Sequence, residues 1–218
     1  DEESATRQSA IDEIIVSATK REESLQDVPI SMSVVSSSVI ESLSARNLQQ
    51  IISAAPNVNF PADPSSEWNP TIAIRGAYTA QTFLGMNIST GVYLDGVFMG
   101  QNDSFNAVSN DLERVEILRG PQGTLFGKNT TGGAISLISK KPSNDLEGQL
   151  KAEVGNYDLV NINGVLNIPI VDEQLAARIS VNHSDRDGYA KNVTTGSDLG
   201  IIDKTSWRAQ LLYTPTEK

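Results

Sequence analysis

Residues 119–135 read RGPQGTLFGKNTTGGAI, a glycine-rich loop with a Gly-Lys step at Gly127–Lys128. A phosphate-binding loop requires G-x-x-x-x-G-K-[ST], so that backbone N–H groups ring the phosphate and a hydroxyl after the Lys holds Mg²⁺. In this chain Gln122 stands where the first glycine belongs, and Asn129 follows Lys128. The TTGGAI that comes next opens a β-branched run where a phosphate loop would open a helix. The loop does not cradle phosphate, and its glycines need another explanation.

The flanks of the loop are strand-like. LERVEILRG at 112–120 precedes it and AISLIS at 134–139 follows it. Further upstream, GVYLDGVFM at 91–99 reads as a hairpin turning at Asp95-Gly96, and TIAIRG at 71–76 and SMSVVS at 31–36 read as strands. Two short helices are expected between them. Ser38 with Glu41 fits a capping box, and Ser44 is placed to cap a helix whose Leu48, Ile51 and Ile52 share a face, ending at Pro56. The polar stretches 61–70, 78–90 and 100–110 are too long for simple connections and are candidate binding loops.

Composition excludes several classes. The net charge of −10 and pI near 4.6 leave no basic face to hold a nucleic-acid backbone. The chain has no cysteine, so disulfides, thiol catalysis and Cys-based zinc sites are absent. No catalytic Ser/His/acid set emerges, no metal site is expected and no cofactor is implied. His183, the one histidine, sits in an alternating strand pattern, and Asp185-x-Asp187-Gly188 lacks the later ligands of a calcium loop. No apolar run is long enough for a transmembrane helix.

After Lys140-Lys141-Pro142 the texture changes to strict alternation. Leu150, Ala152 and Val154 alternate with polar residues, as do Val160, Ile162, Gly164, Leu166 and Ile168, then Ala177, Ile179 and Val181, then Trp207, Ala209, Leu211 and Tyr213. Each run has the length of a bilayer-spanning strand with one face to lipid and one to a wet lumen, although a soluble antiparallel sandwich also alternates. The joins are short at GNYD and PIVDEQ and long at DGYAKNVTTGSDLGIID, as expected of barrel turns and outer loops. Four strands cannot close a barrel, so the chain is expected to be the N-terminal part of something larger.

Taken in order, IDEIIVSA, DVPISMSVVS, AAPNV, IRG, GVYLDGV, LERVEILRGPQGTLFGKNTTGGAISLISKKP and GNYD with amphipathic strands resemble TonB-dependent outer-membrane receptors. The resemblance runs from residue 11 nearly to the end, and the 119–135 block carries it most specifically. It implies an α+β plug domain, a small mixed sheet with short helices, followed by the opening antiparallel strands of a transmembrane β-barrel of about 22 strands. The implied domains are a periplasmic tail at 1–28 with a TonB box at about 11–18, a plug at 29–142, and four barrel strands at 143–218. In that family the glycine loop is a structural turn of the plug, its glycines supplying positive φ and close backbone packing.

The resemblance also implies roles. Asp12, Glu13, Ile14, Ile15, Val16, Ser17 and Ala18 match the TonB box, an extended segment that adds as a strand to TonB, itself energised by an inner-membrane complex. Arg75 and Arg119 match plug arginines that bond carboxylates on the barrel wall, with Glu113 and Glu116 in neighbouring acidic positions; ion pairing within the plug is the alternative. Aromatic and amide groups at the outer loops, Trp68, Asn69, Tyr78, Gln81, Phe83, Asn87, Gln101, Asn102 and Phe105, are candidates to hold a small organic or metal-chelate ligand, or else to pack on the barrel wall. The implied function is TonB-dependent import across the bacterial outer membrane, in contact with its lipid and not with nucleic acid. A ferric siderophore is the expected cargo, with oligosaccharide, cobalamin or haem as alternatives. A signal transducer would need a further domain before the box, and a soluble α/β enzyme with a β-sandwich is the distant alternative.

Overall fold

The structure, a computed structural model, describes residues 14–45, 47–60, 71–79, 88–100 and 110–215. In chain order its elements are β1 (Ile15–Val16), β2 (Glu23–Ser24), β3 (Met32–Ser36), α1 (Ser37–Ser42), α2 (Leu48–Ser53), β4 (Val58–Asn59), β5 (Ala73–Ile74), β6 (Thr90–Leu94), β7 (Val97–Phe98), β8 (Leu112–Arg119), α3 (Gly123–Phe126) and β9 (Gly133–Ser139). There follow β10 (Glu147–Gly155), β11 (Leu159–Val171), β12 (Leu175–Arg186), β13 (Ala190–Lys191), β14 (Asp198–Leu199) and β15 (Ile202–Tyr213).

The strands flanking the glycine loop, β8 and β9, form the centre of a five-stranded sheet ordered β3-β8-β9-β6-β7. The β6–β9 pair is parallel and the other three pairs are antiparallel, so the sheet is mixed. Asp95 and Gly96 both take positive φ between β6 and β7, as a tight hairpin turn demands. On one face Val115 and Ile117 pack against Leu48, Ile51 and Ile52 of α2. On the other, Leu118 and Ala134 meet Val16, Ala18 and Phe126.

The helix caps differ from expectation. The α1 cap position is Ser36, whose hydroxyl pairs with that of Ser38 at 2.9 Å and makes no capping bond, because Ser38 already lies within the first helical turn. Glu41 turns instead towards Lys140 and Lys151. The second helix is capped by Asn47, whose side chain accepts from the Gln50 N–H at 2.8 Å, while Ser44 sits upstream at positive φ.

Residues 14–28, read from sequence as tail, are packed against the sheet, with Val16 and Ala18 fully buried. Val16 and Ala18 have a docking face on the plug, while Ile14 is exposed.

The four alternating runs form one antiparallel ribbon, β10-β11-β12-β15, with 147 opposite 167, 167 opposite 178 and 178 opposite 210. The long join after β12 holds a small hairpin of its own, β13 and β14. Along this ribbon the usual inside-out rule is reversed. Leu150, Val154, Trp207, Leu211 and Tyr213 are exposed, whereas Asn167, Arg178 and Ser180 are buried. A soluble sandwich buries its apolar face; this ribbon turns its polar face to the plug and its apolar face outward, as a lipid-facing wall does.

Candidate functional site

The N-terminal segment is held on the face of the plug that the glycine loop completes. β1 pairs with β2 through two residue pairs, and Leu25 N–H donates to the Ile14 carbonyl at 2.8 Å. Val16 and Ala18, pointing one way, enter the cluster of Tyr93, Leu118, Phe126 and Ala134. Ser17 between them donates its N–H to Glu116 at 2.9 Å and its hydroxyl to the same carboxylate at 3.3 Å. The chain then turns at Lys20, at positive φ, whose Nζ lies 4.2 Å from the Phe126 ring centroid and 5.4 Å from that of Tyr93.

The loop 119–135 supplies this seat. Phe126 ends the short α3 with its ring edge-on to Tyr93, and the Tyr93 hydroxyl donates to the Phe126 carbonyl. Burial raises the Tyr93 phenol above its ordinary value, so the group stays a donor. Gly133 is there because a Cβ would lie 2.3 Å from the Leu118 carbonyl oxygen across the β8–β9 ladder. Gly91 leaves room for Thr130, whose Cγ2 would be 2.7 Å from an added Cβ. These glycines are thus packing devices, at the β8–β9 ladder and beside Thr130 and Tyr93.

Glu116 is fully buried on β8. Its carboxylate also accepts from Arg114 Nε at 2.8 Å, and Arg114 Nη1 bonds Glu113. Glu113 and Glu116 are therefore joined through Arg114, a residue between them in sequence that the family pattern did not single out. Arg75 and Arg119 converge elsewhere: Arg75 donates to the Ser31 hydroxyl at 2.9 Å, and Arg119 reaches Ser31 and Ser33. Among the described residues neither arginine meets a carboxylate.

Among the described residues the plug meets the wall through an arginine of the wall and a carboxylate of the plug. Arg178 on β12 grips Asp111, just before β8, with two bonds of 2.7 Å, and its third nitrogen lies 3.4 Å from Glu147. Both side chains of the Arg178–Asp111 pair are almost fully buried. Beside it Asn110 donates to Ser206 at 2.6 Å and Gln210 to Ser139 at 2.8 Å. Asn167, wholly buried, ties down the connection into the ribbon through the backbone and hydroxyl of Ser143 and the carbonyl of Asp145. Alternation put Arg178 and Asn167 on the wet face, but nothing in the sequence named their partners.

The two attachments are of similar size. The segment is held by burial of Val16, worth about 1.5–3 kcal/mol, and by bonds to a charged acceptor worth about 1.5–3 kcal/mol. Losing one partner of a buried bidentate pair costs about 3–5 kcal/mol, since the other charge is stranded.

Of the expected ligand-holding residues, Tyr78 is exposed on the plug. Trp68, Asn69, Gln81, Phe83, Asn87, Gln101, Asn102 and Phe105 lie outside the described residues, as do Asp12 and Glu13 of the N-terminal segment. His183 pairs across the ribbon with Thr205 at 2.9 Å.

Residues 24–134 match the family model described as TonB-dependent Receptor Plug Domain. The chain belongs to the TonB-dependent receptors. It is 29% identical over 195 residues to the pesticin receptor of Yersinia pestis, covering 81% of this chain and 28% of that protein. It is 30% identical over 159 residues to the ferrioxamine B receptor of Salmonella typhimurium, covering 71% and 22%. Among solved structures, the ferric yersiniabactin uptake receptor FyuA from Yersinia pestis superposes with a TM-score of 0.75 at 30% identity, over 84% of this chain and 28% of that one. The chain spans less than a third of the length of these relatives. As in this family, a mixed plug sheet with few helices precedes the first antiparallel strands of a barrel.

Proposed function

We propose that this chain is the plug and opening wall of an importer that carries a ferric siderophore across the bacterial outer membrane, and that it acts as a transporter and not as an enzyme. The observation that carries the reading is the reversed ribbon: a polar face closed over a folded plug and an apolar face turned outward describe a corked pore in lipid. The relatives support the cargo class, since they are receptors for ferrioxamine B and ferric yersiniabactin.

In this reading residues 12–18 are the strand that TonB captures. The segment is β-prone, lacks proline and is held by contacts weak enough to exchange for main-chain bonds to a partner strand. Trp68, Asn69, Tyr78, Gln81, Phe83, Asn87, Gln101, Asn102 and Phe105 hold the cargo at the outer end. Arg75 and Arg119, which meet serines here, are available for carboxylates on the rest of the wall. Titrating the whole receptor with ferric chelates, cobalamin, haem and an oligosaccharide tests the cargo class. Tight binding of a ferric chelate is expected, and binding of one of the others in its place would overturn the assignment.

A further inference from the structure

The inward face of the wall carries charge of one sign. On β12 and β15 the inward positions hold Arg178, Arg186, Lys204 and Arg208 and no carboxylate, whereas the two carboxylates of these strands, Asp185 and Asp203, fall on outward positions near the long join. A wall in lipid explains why charge gathers inside, but not why only cations do. In a chain of net charge −10 this sorting marks a basic stripe.

The stripe is matched by the plug at one end only. Going from the plug towards the long join after β12, Arg178 stands opposite Gln210, Ser180 opposite Arg208, Asn182 opposite Ser206 and Ser184 opposite Lys204. In the lower rows the plug supplies the counter-charge: Asp111 grips Arg178, and Asp95 and Asp111 attract Arg208. Higher up, Asn110 of the plug reaches Ser206. Lys204 lies one row beyond, half-buried, with Ser184 and Asn161 in its row, and among the described residues no carboxylate bonds it. Holding a cation partly out of water without a counter-ion costs free energy, which an arriving anion offsets.

From this placement, and resting on the importer reading above, we propose that the cargo is a ferric chelate of net negative charge and that Lys204 is its contact on the wall. The unmatched half of the stripe draws the chelate inward, and the Lys204 ammonium donates to one of its anionic oxygens just above the row where plug and wall meet. Below that row the arginines already face Asp95 and Asp111, so the attraction ends there. A chelate carrying positive charge is repelled by the same stripe.

Titration of the whole receptor in membrane vesicles with ferric chelates of different charge tests this. The probes, all carrying radioactive iron, are ferric citrate and a ferric tricatecholate, which are anionic, an uncharged ferric trihydroxamate, and a ferric trihydroxamate bearing a free amine. An anionic chelate is expected to bind tightest, and its binding to the unmodified receptor to weaken as salt is raised. Lys204→Gln then weakens that chelate about tenfold, as loss of one charge-assisted contact does, and Lys204→Arg restores most of the affinity. Lys151→Gln is the matched control: it removes an inward cation that already pairs with Glu41, and it leaves binding unchanged. Tightest binding by the uncharged or the amine-bearing chelate, full affinity for the anionic chelate in Lys204→Gln, or an equal loss in Lys151→Gln would each overturn the proposal. If no ferric chelate binds, the siderophore reading itself fails and the proposal falls with it.

Discussion

The main-chain N–H of Ser17 donates to the buried carboxylate of Glu116 at 2.9 Å, joining residues 99 positions apart. One carboxylate thus holds the N-terminal segment on the plug and is itself fixed by Arg114. Glu116→Gln keeps the shape but removes the charge, and weakens the hold by about 1–2 kcal/mol. In titrations of the whole receptor without cargo, the periplasmic part of TonB is then expected to bind roughly tenfold more tightly, because less is lost on undocking. An unchanged affinity would show that Glu116 does not restrain the segment.

Strand capture depends on backbone N–H groups, so a proline inside the segment removes a donor and a pairing position. Ile15→Pro is expected to abolish uptake while leaving cargo binding at the cell surface intact. Ile15 is half-exposed and contributes no buried side chain to the plug, so the fold of the seat is otherwise preserved. Parallel loss of binding and uptake would contradict the assignment of residues 12–18.

Gly133→Ala drives a Cβ to 2.3 Å from the Leu118 carbonyl in the centre of the sheet. Relief requires parting the β8–β9 ladder, at a cost of about 1–3 kcal/mol or more. Faster proteolysis of the plug is the expected result, and Lys128→Ala in the same loop is the matched control with no effect. A protease pattern identical for both would mean that the loop tolerates what its geometry forbids.

Much of this architecture was readable from the chain. The β8 and β9 strands, the Asp95-Gly96 turn and the ribbon follow from alternation and turn chemistry, which are local. The buried apolar face of α2 was equally plain in Leu48, Ile51 and Ile52. The docking of residues 14–28 was not, because Val16 and Ala18 are buried by Tyr93, Leu118 and Phe126, far away in sequence. Likewise Arg178 was visible as a residue of the wet face, but its bond to Asp111 spans 67 positions and depends on how the plug sits against the wall. The caps were misplaced: α1 begins after Ser36, which makes no capping bond, and α2 is capped by Asn47 where Ser44 was expected. Partnership across the fold, not element type, was the part that local pattern could not carry.

Cargo contact at the outer end is tested by Trp68→Ala and Tyr78→Ala. Each is expected to weaken cargo binding by about 1–3 kcal/mol, the usual loss at an aromatic anchor. Receptor abundance in the membrane should be unchanged, as Tyr78 is exposed and not part of the core. Full affinity in both variants would move the cargo site to loops of the wall.

Import coupled to TonB is measured most directly by uptake of radioactive iron, supplied as its ferric siderophore, into paired strains that differ only in possession of TonB and carry the whole receptor. Binding at the cell surface is expected in both, with accumulation inside the cell only where TonB is present and lost again in the Ile15→Pro receptor. Equal accumulation in both strains would contradict a plug that is opened through its N-terminal segment.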